Sequence, residues 1–184
     1  MRSEHILRQI EMDAERLGLP IIGPYKAAVF REILKQRRPR NSLEIGTLVG
    51  YSAIVIASEM PENGKLICLE VSDEWAKAAR ENIEKAGLSE KVEILVGDAV
   101  KILPQLRQKF DLIFIDASKE QYLDYLKLSE KNLRKGSMII ADNARIFARE
   151  MGDYLDYVRN SGKYSSRYIF VPMANDAVEV SIRL

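Results

Sequence analysis

The sequence contains one cysteine, Cys68, and one histidine, His5, among 184 residues. That scarcity excludes an internal disulfide, a zinc site of the Cys/His kind and a catalytic triad built on histidine. Cys68 sits in the middle of "KLICLEV", where burial as a small hydrophobe is the default. An excess of either charge is missing too: 28 Lys and Arg face 27 Asp and Glu, so the net charge of +1 gives no global field for nucleic acid or an anionic membrane. The run "KQRRPR" at 35–40 and the scattered cations of 131–168 therefore read as a solvated face. No apolar stretch approaches the length of a membrane span and none near the start resembles a signal peptide, so a cytoplasmic protein without a membrane partner is expected. Repeats, low-complexity tracts and linkers are absent as well. With 47% hydrophobic residues, the chain suits one well-buried domain over 1–184 and is short for two.

What the sequence does contain is an alternation. Apolar runs predict strands at 42–46, 65–71, 91–97, 110–116, 137–142, 166–172 and 177–184. Helix-period segments fall between the first six, at about 50–60, 73–86, 99–107, 119–132 and 145–160. Such alternation implies an α/β fold, a mostly parallel sheet with helices on both faces. Only "MAND" joins the last two strands, which is too short for a parallel crossover, so the final strand should be antiparallel. Residues 1–17 and about 22–37 form a helical extension, interrupted at "GLPIIGP".

Ligands of open α/β sheets collect beyond the carboxyl ends of the strands, and the unusual polar residues lie there. "SLEIGTLVGYS" places Glu44, Gly46 and Gly50 across the first strand-to-helix turn, where backbone can approach a ligand closely. A dinucleotide fingerprint fails on spacing, because glycine would be needed where Leu48 and Tyr51 stand. Glu70 closes the second strand, about where a carboxylate meets ribose hydroxyls, or else it is an acid near the helix capped by Ser72. Asp98 and Ala99, in "VGDA", either frame an adenine edge or start a helix. Two further runs end alike: "FDLIFID" on Asp116, with Lys119 three residues on, and "IIADN" on Asp142 and Asn143. As helix caps, these residues would be ordinary. As the tips of neighbouring strands they would converge at about 5 Å spacing. The two acids would then repel each other unless a hard cation joined them, and all-oxygen ligation suits Mg²⁺, with Mn²⁺ or Ca²⁺ as competitors.

In order and spacing, "LEIGTLVGYSAI", the acid of "LICLEVSDEW", "VGDA", "FDLIFIDASKEQY" and "IIADN" resemble the cation-dependent O-methyltransferases that use S-adenosylmethionine. That group includes the catechol and caffeoyl-CoA enzymes, and the resemblance covers roughly 20–145. It implies a Rossmann-like fold of seven strands with the last antiparallel. It also implies that Ile22, Glu44, Gly46 and Ser52 surround the methionine end of the cofactor, that Glu70 takes the ribose hydroxyls, and that Asp98 and Ala99 line the adenine. Asp116, Asp142 and Asn143 would be the metal ligands, Asp116 also bordering the cofactor, and Lys119 the general base. A neutral Lys119 is required for that role, and a neighbouring dication and partial burial both disfavour its charged form.

The chain departs from the family at Ser118, where many relatives carry an acid. It is also shorter after 145, which leaves the acceptor undefined. The catechol enzymes hold their substrate with a further acid, for which Asn175 or Asp176 is the nearest candidate. The expected acceptor is a catechol-like small molecule with vicinal oxygens. A tRNA base hydroxyl, or cofactor binding without catalysis, are the alternatives. A homodimer is the expected assembly, with the extension covering the site or meeting a partner subunit.

Overall fold

The computed structural model describes residues 2–184. Seven strands form one sheet: β1 (Asn41–Ile45), β2 (Lys65–Glu70), β3 (Val92–Val96), β4 (Leu112–Ile115), β5 (Met138–Ala141), β6 (Tyr164–Val171) and β7 (Asp176–Arg183). Their order is β3-β2-β1-β4-β5-β7-β6, with β1 to β5 parallel and β7 antiparallel to both its neighbours. The mostly parallel sheet, its antiparallel last strand and the Rossmann-like architecture are thus as expected. The order reverses between β1 and β4, which opens a crevice at their carboxyl ends.

The central strands are continuous apolar runs because helices cover both faces. "LIFI" of β4 and "MIIA" of β5 are buried throughout. Alternate side chains serve opposite cores: Leu112, Phe114, Met138 and Ile140 pack on one side, Ile113, Ile115, Ile139 and Ala141 on the other. On the first side lie α1 (Arg2–Leu17), α2 (Gly23–Arg37), α3 (Tyr51–Glu59) and α4 (Asp73–Ala86); on the second lie α5 (Ala99–Ile102), α6 (Tyr122–Ser129) and α7 (Gly152–Asn160). None of the helices among the described residues is long and apolar enough to cross a membrane.

The expected extension is real over α1 and α2; Met1 lies outside the described residues. Pro24 fits the first turn of α2, where an amide hydrogen would lack a partner anyway. Every fourth residue of α2 faces the core: Lys26, Phe30 and Leu34, continuing from Ile22. Phe30 meets Phe114 of β4 edge to face at 4.8 Å between ring centres.

One element differs from expectation. The helix predicted over 145–160 begins only at Gly152. The amides of Arg145 and Ile146 bond to Asp176 Oδ1 at 3.3 and 3.1 Å, and Ala144 N bonds to Ala177 O at 2.9 Å. Those bonds tie the chain to β7 as it leaves β5, and it continues through hydrogen-bonded turns, Phe147 N meeting Asn143 O at 3.0 Å and Met151 N meeting Phe147 O at 3.1 Å.

Candidate active site

A cavity of about 930 Å³ opens at the carboxyl ends of β1, β2, β4 and β5. The expected residues Ile22, Gly46, Ser52, Glu70, Asp98, Ala99, Asp116, Lys119, Asp142 and Asn143 all line it. Glu44 does not, being fully buried one layer behind the first turn.

That first turn is built by close packing. Gly46 adopts φ +86°, and a Cβ there would lie 2.2 Å from the carbonyl oxygen of Asp116, so the tips of β1 and β4 touch through a position that only glycine fits. Leu48, at φ +48°, holds a left-handed conformation unusual for its type. Glu70 secures it, its Oε2 accepting from Leu48 N at 2.8 Å and Thr47 N at 3.2 Å while Oε1 accepts from Ser72 N at 3.0 Å. Glu70 therefore braces two turns while still facing the cavity. Ser72 is the cap of α4, accepting from Trp75 N. Asp98 caps α5 through Val100 N at 2.9 Å, so the helix-start reading describes it, alongside its place in the cavity wall.

Glu44 accepts a hydrogen bond from Thr47 Oγ1 at 2.6 Å, but its Oε1 is buried without a partner. Burial pushes its pKa up to about 7, against the opposing pull of the Ser52, Thr47 and Cys68 side chains. An unpartnered carboxyl oxygen behind a glycine turn fits the ammonium group at the amino-acid end of S-adenosylmethionine.

Asp116 and Asp142 follow the paired residues Ile115 and Ala141 on adjacent strands. Neither caps a helix: no helix starts at Arg145, and the 3-10 turn at Lys119–Gln121 has no side-chain cap. Lys119 Nζ lies 2.7 Å from Asp116 Oδ1 and 2.8 Å from the hydroxyl of the buried Tyr122. Asp142 is held by Lys26, whose Nζ donates to Oδ2 at 2.8 Å and stands 2.7 Å from Oδ1. Even so, Oδ1 has no hydrogen-bond donor of its own. Burial and the charge of Asp116 raise the Asp142 pKa despite Lys26. Two carboxylates that resist joint ionisation, beside an amide, are a donor set suited to a hard dication. Among the described residues no three His, Cys, Asp or Glu side chains form such a group, so the amide of Asn143 is needed to complete it.

Asp176 is not free to hold an acceptor. It is 2% exposed and bonded to Lys26, Asn143, Arg145 and Ile146. Lys26 and Tyr122 were not singled out from the sequence. Lys26 carried a readable signal, a charge at the second position of the stripe Ile22, Lys26, Phe30, Leu34.

The chain is similar to known proteins throughout this region. The model of a family described as O-methyltransferase matches residues 5–155. A catechol O-methyltransferase of Niastella koreensis is 41% identical over 132 residues, 68% of this chain and 60% of that protein. Catechol O-methyltransferase B of Danio rerio is 35% identical over 174 residues, 89% of this chain and 65% of that protein. The chain thus spans less than two thirds of the length of these relatives. Among solved structures, an O-methyltransferase from Bacillus cereus in complex with SAH superimposes with a TM-score of 0.87 at 28% identity, over 98% of this chain and 91% of that one. Matched by that family model over residues 5–155 and by a relative 35% identical over 89% of its length, the chain belongs to the O-methyltransferase family.

Proposed function

We propose that this chain is an S-adenosylmethionine-dependent and divalent-cation-dependent O-methyltransferase whose acceptor is a small molecule with vicinal oxygens. The observation that carries the reading is the meeting of Asp116, Asp142 and Asn143 with Lys119 in one cavity, beside the glycine turn. Ile22, Gly46, Ser52, Glu70 and Ala99 would hold the cofactor with Glu44 behind them, and Asp116, Asp142 and Asn143 would hold the cation, Mg²⁺ by its chemistry. When bound, the cofactor supplies a methyl group on a sulfonium and the cation makes the acceptor hydroxyl more acidic.

The chain's own residues do the rest. Lys119 Nζ, once it has released its own proton to solvent and is neutral, takes the hydroxyl proton, and Asp116 and Tyr122 aim it through bonds of 2.7 and 2.8 Å. Apolar walls from Ile22, Ile146 and Phe147 restrict water and orient a flat acceptor. Such alignment can supply about 7–11 kcal/mol of barrier reduction. The tRNA alternative is less well supported. A tRNA would need a basic surface beside the site, whereas Arg134 and Lys135 join Arg37, Arg38 and Arg40 at a cleft by the amino ends of β4 and β5, away from this cavity.

A transfer assay with methyl-labelled cofactor, a panel of catechols and bulk tRNA, each with and without EDTA, tests the reading. Labelled catechol that disappears with EDTA is expected. Label in tRNA alone, chelator-insensitive transfer, or no transfer to any acceptor would each overturn it. In the same assay Lys119→Ala should lower turnover by about 10²–10⁴ while cofactor affinity by titration stays within about twofold; equal losses in both would remove the base role.

A further inference from the structure

Asp176 has no part in the reaction as read above, yet both its oxygens are fully engaged at the edge of the site. Oδ2 accepts from Lys26 Nζ at 2.6 Å and from Asn143 Nδ2 at 2.9 Å. Oδ1 accepts from the amides of Arg145 and Ile146. Lys26 Nζ and the two backbone amides can only donate, so the carboxylate serves as acceptor at both of its oxygens.

A carboxylate already accepting from those three donors offers Asn143 an acceptor, and Asn143 turns its NH2 towards Asp176 at 2.9 Å. The planar amide then presents Oδ1 on its other side. Asn143 itself sits at φ +62°, a conformation that asparagine tolerates better than most residues. Resting on the reading of Asp116, Asp142 and Asn143 as a cation site, we propose that Asp176 is its positioning residue: it dictates that Asn143 offers oxygen, and it draws on Lys26 so that this ammonium is not given to Asp142 alone.

Asp176→Asn separates this role from a merely structural one. The amides of Arg145 and Ile146 can be met only by an oxygen, so the new side chain keeps its carbonyl there and the loop stays pinned. Its NH2 then occupies the place of Oδ2, facing Lys26 and Asn143. Asn143 must answer with Oδ1, turning its NH2 towards the cation. Lys26, left with one counter-charge, falls wholly to Asp142 and competes with the cation there. Both consequences weaken cation binding and leave the cofactor pocket alone.

The experiment is a Mn²⁺ titration followed by the electron paramagnetic resonance signal of free Mn²⁺, on wild type, Asp176→Asn and Asp176→Glu, with cofactor titration and thermal melting alongside. The asparagine variant should bind Mn²⁺ at least about tenfold more weakly, in the range typical for residues that orient ligands. Its cofactor affinity should be unchanged, excess Mn²⁺ should restore turnover, and the glutamate variant should recover part of the affinity. Mn²⁺ affinity within twofold of wild type, or a parallel loss of Mn²⁺ and cofactor binding, would overturn the proposal. A wild type that takes up no Mn²⁺ overturns the cation-site reading itself. Should Asp176→Asn not fold, the wild type still answers by NMR. The Asn143 side-chain amide protons should exchange slowly with and without Mg²⁺, and fast exchange in both would refute the bond to Asp176.

Discussion

Gly46→Ala perturbs the contact on which the site is built. Two costs add. Gly46 has φ +86°, and placing an L-residue in that region costs about 1–2 kcal/mol. The new Cβ would also lie 2.2 Å from Asp116 O and 2.9 Å from Asp116 C, backbone atoms of a buried strand end that cannot rotate away. Overpacking of this kind costs about 1–3 kcal/mol. Together they give about 2–5 kcal/mol, which in a chain of this length lowers the melting temperature by roughly 4–20 °C. Relief of the clash requires Asp116 to move by about 1 Å, the scale at which positioning is lost, so cofactor and cation affinity should fall with stability. Gly23→Ala is the control: its φ is +71°, but nothing stands within 4 Å of its Cβ, so only the backbone cost applies. Thermal melting and cofactor titration of both variants decide the matter. If Gly46→Ala is no more costly than Gly23→Ala and binds cofactor normally, the packing of β1 against β4 is not what shapes the site.

Two further expectations follow from single groups. Glu44 has a folded pKa of about 7 against an ordinary 4.5, raised chiefly by burial. The folded state therefore holds this proton more tightly, and the stability that it contributes is complete below about pH 4.5 and lost as pH rises through about 7. The cofactor-free protein should melt progressively lower from pH 5 to 8, and Glu44→Gln should flatten that decline; an unchanged slope would mean that Glu44 is not buried as a neutral acid. Tyr122→Phe removes the hydroxyl 2.8 Å from Lys119 Nζ. Losing that bond is worth about 0.5–1.5 kcal/mol and should reduce turnover about two- to tenfold in steady-state kinetics. An equal change in cofactor affinity would show a general disturbance instead.

The strands were legible because each physical requirement left its own trace in the sequence. Strands covered on both faces must be apolar throughout, so "LIFI" and "MIIA" stand out, and a link as short as "MAND" admits only an antiparallel partner. The strand-tip acids were legible for the same reason, since a carboxylate directly after such a run has left the core. The turn at 145–151 was not. Its local pattern suits a helix, and the residue that pins its first amides, Asp176, lies some thirty residues away in sequence, where local periodicity does not reach. Asp98 was ambiguous because the same geometry that caps α5 also faces the cavity. Lys26 lay in plain view, but a lone lysine in an apolar stripe does not reveal which acids it meets.

Those acids explain why α2 belongs to the site instead of merely covering it. Asp142 and Asp176, both buried to 2% exposure, share Lys26, and Asp116 adds its charge to Asp142 from the neighbouring strand tip; buried acids of this kind are unfavourable without cations. Lys119 answers Asp116 from the turn that follows β4, and Lys26 answers Asp142 and Asp176 from α2. Burial, and then the charge of Asp116, raise the pKa of Asp142 even with Lys26 beside it. Burial pulls Lys26 down most strongly of any single influence, yet the two carboxylates together outweigh it and its pKa is raised, so it stays charged. The two lysines thus divide the work. Lys26, buried and charged by its surroundings, is a fixed counter-ion that lets the acids exist in the core. Lys119, more exposed at the cavity wall, is the one proposed above as the base. A fold that supplied only one of them would have either a stable cluster without a base or a base beside acids that could not stay ionised.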